Sequence, residues 1–443
     1  MPNRIVKRWS SIPAGCPVRP AGFALALCLS IFAAQPALAA STAAQDLETA
    51  RPVRPMWFVP GDDRAAYALI DQLDSSRLDG LDPRRFNTRS LIRAVRDAER
   101  GDPRAMVAAE TMLNRALVVY AASLRSRSSS EWKIIDKAAV PSVPSASALL
   151  SQAAAAPSLT AWIEAMPYMH HSYGEMRRAL LDAQQQGDDR AVQLLRINLD
   201  RARMLPGSGG RYVLMNAAAQ RLYMYENGKV VDSMRVVVGK PQQPTPMMAA
   251  LIRYTATNPY WNVPADLTAE RIAPNVVKEG LGYLKDRGYV VLSDYGDEAT
   301  QVDPSTINWE AVAAGKIQLR VRQNPGPHNS MGRMKFMFPN SDGVYLHDTP
   351  NKELLSEASR LFSGGCVRLE DAPRLAKWLY GKPLKIPTGG KPEQKVDLER
   401  PVPVYLAYLT AVPSGSEVVY YEDIYGKDSA RLAAMESPRV AAR

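Results

Sequence analysis

The chain changes its periodicity once, at Pro206-Gly207-Ser208-Gly209-Gly210, and this break limits what it can fold into. Before it, apolar residues recur at helical spacing. Tyr67, Leu69, Ile70 and Leu73 form one set and Leu91, Ile92 and Val95 another. Leu180, Leu181, Leu194, Leu195 and Ile197 continue the pattern between Leu159 and Met204. After the break, Tyr212–Asn216 and Leu222–Tyr225 predict strands, and Asn227-Gly228 is the strongest short hairpin signal. Val230-Val231 and Met234–Gly239 supply the next strands. A helical part followed by a β-rich part gives an α+β fold class. A chain of 443 residues has room for two or three domains.

Smaller signals subdivide the two parts. Leu78-Asp79-Gly80-Leu81-Asp82-Pro83 is a turn. Residues 138–157, rich in Ala, Ser and Pro, read as a linker or loosely packed loop. Inside the β part, residues 265–320 break the strand pattern with a helix from Thr268 to Val277 and short strands at Tyr289–Leu292 and Ile317–Val321. An insertion of this length is more often a cap than a floppy loop. Strand pattern returns at Lys335–Phe338 and Val344–His347, and Lys352–Leu361 reads as a helix. A further helix, Asp371–Tyr380, ends at Gly381 and Pro383. The expected domains are 40–205, helical, and 206–388, β-rich. Residues 389–443 form a C-terminal extension, with strand-like Val402–Leu409 and a charged tail whose composition allows disorder.

Residues 1–39 have the order of an export signal: basic Arg4, Lys7, Arg8 and Arg19, an apolar run over 21–34, then Ala37-Leu38-Ala39. The run is shorter than the ~20 residues that span a bilayer comfortably, so an uncleaved inner-membrane anchor is the lesser alternative. Cleavage removes Cys16 and Cys28, leaving Cys366 alone, with no intramolecular disulfide to form. It also takes the net charge from +10 to +6. A mildly basic exported protein suits an anionic wall polymer or membrane surface. No basic stripe interleaved with aromatics points to nucleic acid.

A free thiol in an oxidising compartment needs a use. Cys366 lies in Ser363-Gly364-Gly365-Cys366-Val367-Arg368, nineteen residues after His347 at the end of a strand. That is enough chain to return to the same end of a sheet. A histidine can take the thiol proton, and the two glycines let backbone N–H groups approach a substrate carbonyl. The bland alternative is a buried cysteine beside a core histidine. His170-His171 sits in the helical part and His328 in a Pro-Gly-Pro loop. No paired metal-ligand spacing occurs, so neither a metal nor another cofactor is expected. No well-placed Gly-x-Ser-x-Gly offers a serine nucleophile.

At these residues the chain resembles the YkuD-type L,D-transpeptidases of bacterial cell walls. Their signature is a histidine followed about twenty residues later by Ser-x-Gly-Cys-[Val/Ile]-Arg. The likeness extends to the larger Gram-negative, YcbB-like subgroup through Val238-Gly239-Lys240, Thr245-Pro246, Asn258-Pro259-Tyr260-Trp261-Asn262-Val263-Pro264, Asn329-Ser330-Met331-Gly332-Arg333 and Tyr345-Leu346-His347-Asp348-Thr349-Pro350. Gly80-Leu81-Asp82-Pro83 resembles the start of that subgroup's scaffold domain. Residues 128–158 are too short for the three-helix peptidoglycan-binding module that subgroup members often carry.

The resemblance implies two-step acyl transfer, from a donor tetrapeptide stem of peptidoglycan to an acceptor stem, giving a 3→3 cross-link. Cys366 would be the nucleophile and His347 the general base and acid. The backbone carbonyl of Asp348 would orient the imidazole, and the backbone N–H groups of Gly365 and Cys366 would form the oxyanion hole. Arg368, Ser363, Gly364, Tyr345, Trp261 and Asn329 are the candidate substrate-binding residues. The insertion corresponds to the subgroup's capping lid, and carbapenems would acylate Cys366. The same site would equally serve an L,D-carboxypeptidase or endopeptidase, or attach an outer-membrane protein to peptidoglycan. The oligomeric state is not legible.

Overall fold

A computed structural model describes residues 55–436 apart from 63, 127–130, 143, 297, 387–389 and 416. The export-signal reading of residues 1–39, with Cys16 and Cys28, lies outside the described residues.

The helical part consists of α1 (Ala65–Asp74), α2 (Thr88–Ala98), α3 (Pro103–Arg125), α4 (Ala146–Ala154), α5 (Leu159–Ala165), α6 (His171–Gln186) and α7 (Asp189–Ala202). Their starts are written in the sequence. Asp102 accepts the Arg104 N–H with Pro103 in the first turn, and Ser145, Ser158 and Asp188 cap α4, α5 and α7. Leu69, Leu73, Leu113, Leu117, Tyr173 and Leu180 fill the common core. Helix α4 corrects the loop expected over 138–157. Alanine is the strongest helix former, Ser145 provides a cap, and Leu149 and Leu150 give the turn an apolar face to bury. A composition typical of linkers is here that of a packed helix.

The turn at Asp79 is the polar centre of this part. Its buried carboxylate accepts from Tyr120 Oη (2.8 Å) on α3 and from Tyr173 Oη (3.1 Å) and Arg177 Nε (3.0 Å) on α6. Gly80, at φ 65°, lets the chain turn away.

The strands are β1 (Lys133–Ile134), β2 (Arg211–Asn216), β3 (Arg221–Glu226), β4 (Lys229–Gly239), β5 (Met248–Thr257), β6 (Trp261–Val263), β7 (Tyr289–Leu292), β8 (Gln301–Val302), β9 (Arg320–Gln323), β10 (Met334–Met337), β11 (Leu346–His347), β12 (Leu361–Ser363), β13 (Val367–Leu369), β14 (Gln394–Ala407), β15 (Ala411–Ser414) and β16 (Glu417–Tyr420). The main sheet runs β5-β10-β11-β13-β4-β3-β2-β14 and returns to β5, with β1 added on β5 and β12 on β4. Closure leaves the ring without a free edge. Leu222, Met224, Val236, Val238, Ile252, Phe336, Leu346, Val367 and Leu406 belong to its core. The Asn227-Gly228 turn joins β3 to β4 with both φ angles positive.

The insertion is wider than expected, from β6 to β9. Its sheet, ordered β6-β9-β7-β8, and helices α8 (Ala273–Glu279), α9 (Gly282–Asp286) and α10 (Trp309–Ala313) enclose a separate core of Val263, Ile272, Val276, Leu284, Val291, Trp309 and Val321. The helix expected over Lys352–Leu361 is only a short 3-10 turn, Lys352–Ser356, because Leu361 is drawn into β12 beside Val238 of β4. The helix after the cysteine is present as α11 (Ala372–Tyr380) and packs Leu375, Ala376 and Leu379 on the sheet.

Within the expected C-terminal extension, the described residues 390–436 pack onto the rest of the chain. They supply β14, which closes the barrel between β2 and β5, the β15–β16 hairpin, and α12 (Lys427–Glu436). The order of this charged segment comes from its partners: Arg201 of α7 is fully buried against Asp428 of α12. No described helix is long and apolar enough to cross a membrane.

Candidate active site

Strand β11 lies between β10 and β13, parallel to β13, with Leu346 beside Val367 and His347 beside Arg368. Leu346 and Val367 point into the barrel and are fully buried. The two-residue period of a strand then places His347 and Arg368 on the opposite face, with Tyr345 and Cys366 two residues before them. The Val367 N–H donates to the Tyr345 carbonyl (2.9 Å), carrying the pairing down to Cys366. Lys335 of β10, paired with His347, stands on the same face, its Nζ 5.1 Å from the Tyr345 ring centroid. Separation in sequence thus becomes adjacency on one outer face.

The turn before Cys366 is held from both sides. Ser363 Oγ accepts the Gly365 N–H (3.1 Å) and donates to the Cys366 carbonyl (2.5 Å). Thr245 Oγ1 donates to the Gly365 carbonyl (2.9 Å). Gly365 has φ 109°, a conformation that side chains rarely adopt. Among the described residues the Cys366 N–H has no hydrogen-bond partner. Of the two N–H groups expected to face an oxyanion, that of Gly365 is used within the loop and that of Cys366 is left.

His347 Nδ1 lies 2.5 Å from the Asp348 carbonyl oxygen. A carbonyl only accepts, so Nδ1 carries the proton and Nε2 the basic lone pair. Burial, helped by the Arg368 charge, lowers the His347 pKa from 6.5 to about 3. Burial pushes the half-buried Cys366 thiol up, opposed by the Tyr345 backbone N–H and by Arg368 and Lys335. The resting pair is a neutral thiol and a neutral imidazole. The thiol meanwhile points at the Gly343 carbonyl (3.5 Å).

The insertion overhangs this turn. A side chain at Gly364 would meet Gln243 and Leu267, and Gln243 itself donates to Asp266 of the insertion (3.0 Å). Lys240 pairs with Glu270 (3.4 Å). Arg271 is close enough to Arg368 to lower its pKa further after burial has done so.

The other expected substrate contacts divide. Tyr345 and Arg368 lie on the outer face with the cysteine. Ser363 is engaged within the loop, and Gly364 lies under the insertion. Trp261 faces the insertion's own core, its ring 6.3 Å from that of Tyr289. Asn329 is buried, and its amide is consumed by the Pro259, Gln323 and Asn324 carbonyls and the Met331 N–H. It builds the loop after β9 and has no group left for a ligand. Thr245 was absent from the expected site. It acts on Gly365 from 120 residues away, and its only local signal is the Thr245-Pro246 pair of the family likeness.

The structure thus combines a closed mixed barrel, an inserted cap, a helical domain before it and one outer face that carries both His347 and Cys366. Residues 210–404 match the family model of the L,D-transpeptidase catalytic domain, YkuD, and residues 44–180 match that of the Scaffold domain. The chain joins a Scaffold domain to a YkuD catalytic domain, the YcbB-like arrangement. It is 33% identical over 243 residues to a Haemophilus influenzae protein named "Putative L,D-transpeptidase", covering 54% of this chain and 48% of that one. The chain therefore spans about half the length of this curated relative. Two solved structures overlap it in part. The "Ldtfm-avibactam carbamoyl enzyme" is 14% identical with TM-score 0.22, over 47% of this chain and 51% of that one. The "L,D-transpeptidase from Mycobacterium smegmatis" is 17% identical with TM-score 0.21, over 44% and 59%. At that similarity neither bears on the fold.

Proposed function

We propose that this protein is a periplasmic peptidoglycan L,D-transpeptidase that makes 3→3 cross-links through a Cys366 acyl-enzyme. The observation that carries the reading is the shared outer face of β11 and β13. It holds His347, with Nδ1 tied to Asp348, beside the turn that presents Cys366 and its unpaired N–H.

In the first step His347 Nε2 takes the thiol proton as Sγ attacks the carbonyl of the third residue of a donor tetrapeptide stem. The oxyanion forms against the Cys366 N–H, an interaction worth ~3 kcal/mol per donor in other acyl-transfer enzymes. The imidazolium then protonates the departing amine, the C–N bond breaks, D-alanine leaves and a thioester remains. In the second step the side-chain amine of an acceptor stem attacks the thioester and gives its proton to His347. The C–S bond breaks, an amide forms and the thiol recovers its proton. With Nδ1 tied to the Asp348 carbonyl, Nε2 carries the lone pair that receives the thiol proton. The overhanging insertion supports aminolysis over hydrolysis by limiting water at the thioester. Arg368 and Tyr345, on the same face, would meet the stem, Arg368 through a carboxylate.

Muropeptide mass spectrometry of a deletion strain tests the reading. Loss of 3→3 dimers is expected. Loss of only tripeptides or of protein-linked muropeptides would replace cross-linking with the other reactions. In vitro, intact mass after carbapenem exposure should show one adduct on the wild type and none on Cys366→Ala.

A further inference from the structure

We infer that Thr245, braced by Tyr425, is a positioning residue that aims the Cys366 N–H at the reacting carbonyl. The inference rests on Cys366 being the acyl-accepting nucleophile.

Four hydrogen bonds define the arrangement. Thr245 Oγ1 accepts the Gly239 N–H (3.0 Å) and donates to the Gly365 carbonyl (2.9 Å). Tyr425 Oη accepts the Thr245 N–H (3.4 Å) and donates to the Gly239 carbonyl (2.8 Å). All four partners are backbone groups with fixed roles, so the single proton of each hydroxyl has one place to go. No alternative rotor satisfies the same set. Thr245 is only 2% exposed, so losing its partner would leave the Gly365 carbonyl unpaired in a dry loop.

The consequence reaches Cys366 through peptide geometry. The Gly365 carbonyl and the Cys366 N–H belong to one planar unit and point in opposite directions. Fixing the carbonyl fixes the N–H. Ser363 holds the flanking Gly365 N–H and Cys366 carbonyl, so the groups on both sides of this peptide unit are pinned as well. The brace admits no side chain at Gly239, where a Cβ would lie 2.2 Å from the Gln243 carbonyl oxygen and 2.7 Å from the Thr245 nitrogen. Tyr425 is itself fixed. Its ring stacks on that of Tyr408 at 5.3 Å, and its N–H donates to Tyr408 Oη (3.0 Å). The C-terminal segment thus reaches the catalytic turn from outside the barrel.

The test compares two reactions of the same thiol in the full-length chain. Acylation by a carbapenem, followed by intact mass, needs the oxyanion donor; alkylation by iodoacetamide does not. In Thr245→Val, acylation should slow by about 10- to 100-fold, since one oxyanion donor is worth 10²–10³ in kcat when removed outright. Alkylation should stay within about threefold of wild type, and Thr245→Ser should recover most of the acylation rate. Wild-type acylation in Thr245→Val overturns the inference. So does an equal loss of both reactions that serine fails to rescue. If the valine variant does not fold, Tyr425→Phe serves. It removes the donor to Gly239 and should slow acylation several-fold with alkylation unchanged; unchanged acylation overturns the inference. A Cys366→Ala protein that still forms the adduct defeats the nucleophile assignment instead, a separate outcome.

Discussion

The imidazole of His347 is held by the carbonyl of its own chain neighbour, Asp348, at 2.5 Å. The Asp348 carboxylate holds that carbonyl in turn, accepting the Arg333 N–H (3.0 Å) and pairing with Lys352 (2.8 Å). Lys352 continues to the Leu369 and Glu370 carbonyls (3.1 and 2.9 Å), at and beyond the end of β13. The imidazole is therefore referenced to the strand that follows the cysteine. The residue after the histidine contributes twice: its carbonyl sets the tautomer and its carboxylate sets the turn.

This arrangement predicts an unusual pH profile. Burial lowers the His347 pKa to about 3, so the base form persists well below the ordinary 6.5. Carbapenem acylation should stay level between about pH 8 and 5, with no acid limb near the ordinary histidine value. A limb near 6.5 would show that His347 is exposed or is not the base. The same shift carries a stability sign. The unfolded chain binds the proton more readily, so the contribution is complete above pH 6.5 and declines as pH falls from 6.5 toward 3. The slope from this one group is at most about 1.4 kcal/mol per pH unit, measurable as the pH dependence of the denaturant midpoint.

Gly332→Ala should damage catalysis without touching the cysteine. Gly332 has φ 61°, and an added Cβ would fall 2.5 Å from Asp348 Cγ. Asp348 must move, and the imidazole loses its reference. A misplacement near 1 Å can cost on the order of 10²-fold in rate, and the strained backbone costs about 1–3 kcal/mol in stability. Acylation kinetics and thermal unfolding measured together check both; a variant acylated at the wild-type rate would deny Asp348 its role.

That His347 and Cys366 would come to one face of the sheet was legible because both residues sit at strand ends with enough chain between them to return. Asn227-Gly228 declared its hairpin for the same local reason. Elsewhere the signal was not local. Asn329 falls in a family motif that suggested ligand contact, but its amide is fully used inside a loop. The Gly365 N–H was assigned to the substrate because glycine permits close approach, yet the Ser363 hydroxyl two residues away takes it. Alanine and serine over 138–157 resembled a linker until α4 found a core to bury Leu149 and Leu150. The charged C-terminal segment resembled a tail because its partners, Arg201 and Gly239, lie roughly two hundred residues earlier.

Asp79→Ala should unfold the helical domain at markedly lower denaturant. The carboxylate is fully buried and is the ionic partner of Arg177, itself 8% exposed. Removing one member of such a pair typically costs about 3–5 kcal/mol, because the other charge stays buried. Arg203 also donates to the Asp79 carbonyl, so the damage should reach the segment that leads into the barrel. Equilibrium unfolding followed by far-ultraviolet circular dichroism measures the loss; a change below about 1 kcal/mol would mean that water enters and solvates Arg177.

Arg201→Met should free the C-terminal helix while leaving the barrel intact. The guanidinium is fully buried, with Nε and Nη2 on the Glu131 carboxylate (both 3.0 Å) and Nη1 on Asp428 (2.5 Å) and the Tyr408 carbonyl (3.1 Å). It ties α7 to α12 at the point where the chain has just passed Tyr425. Methionine keeps much of the volume and none of the charge, leaving Asp428 with the hydroxyl of Thr410 for company. Loss of this pair is again a matter of about 3–5 kcal/mol locally. Amides of 427–436 should exchange hydrogen far faster, and those of β5 and β10 should not change. Because Tyr425 lies on the loosened segment, acylation should also slow several-fold while iodoacetamide alkylation holds. Faster exchange in α12 with acylation unaltered would separate the anchoring of the C-terminal helix from the aim of the catalytic turn.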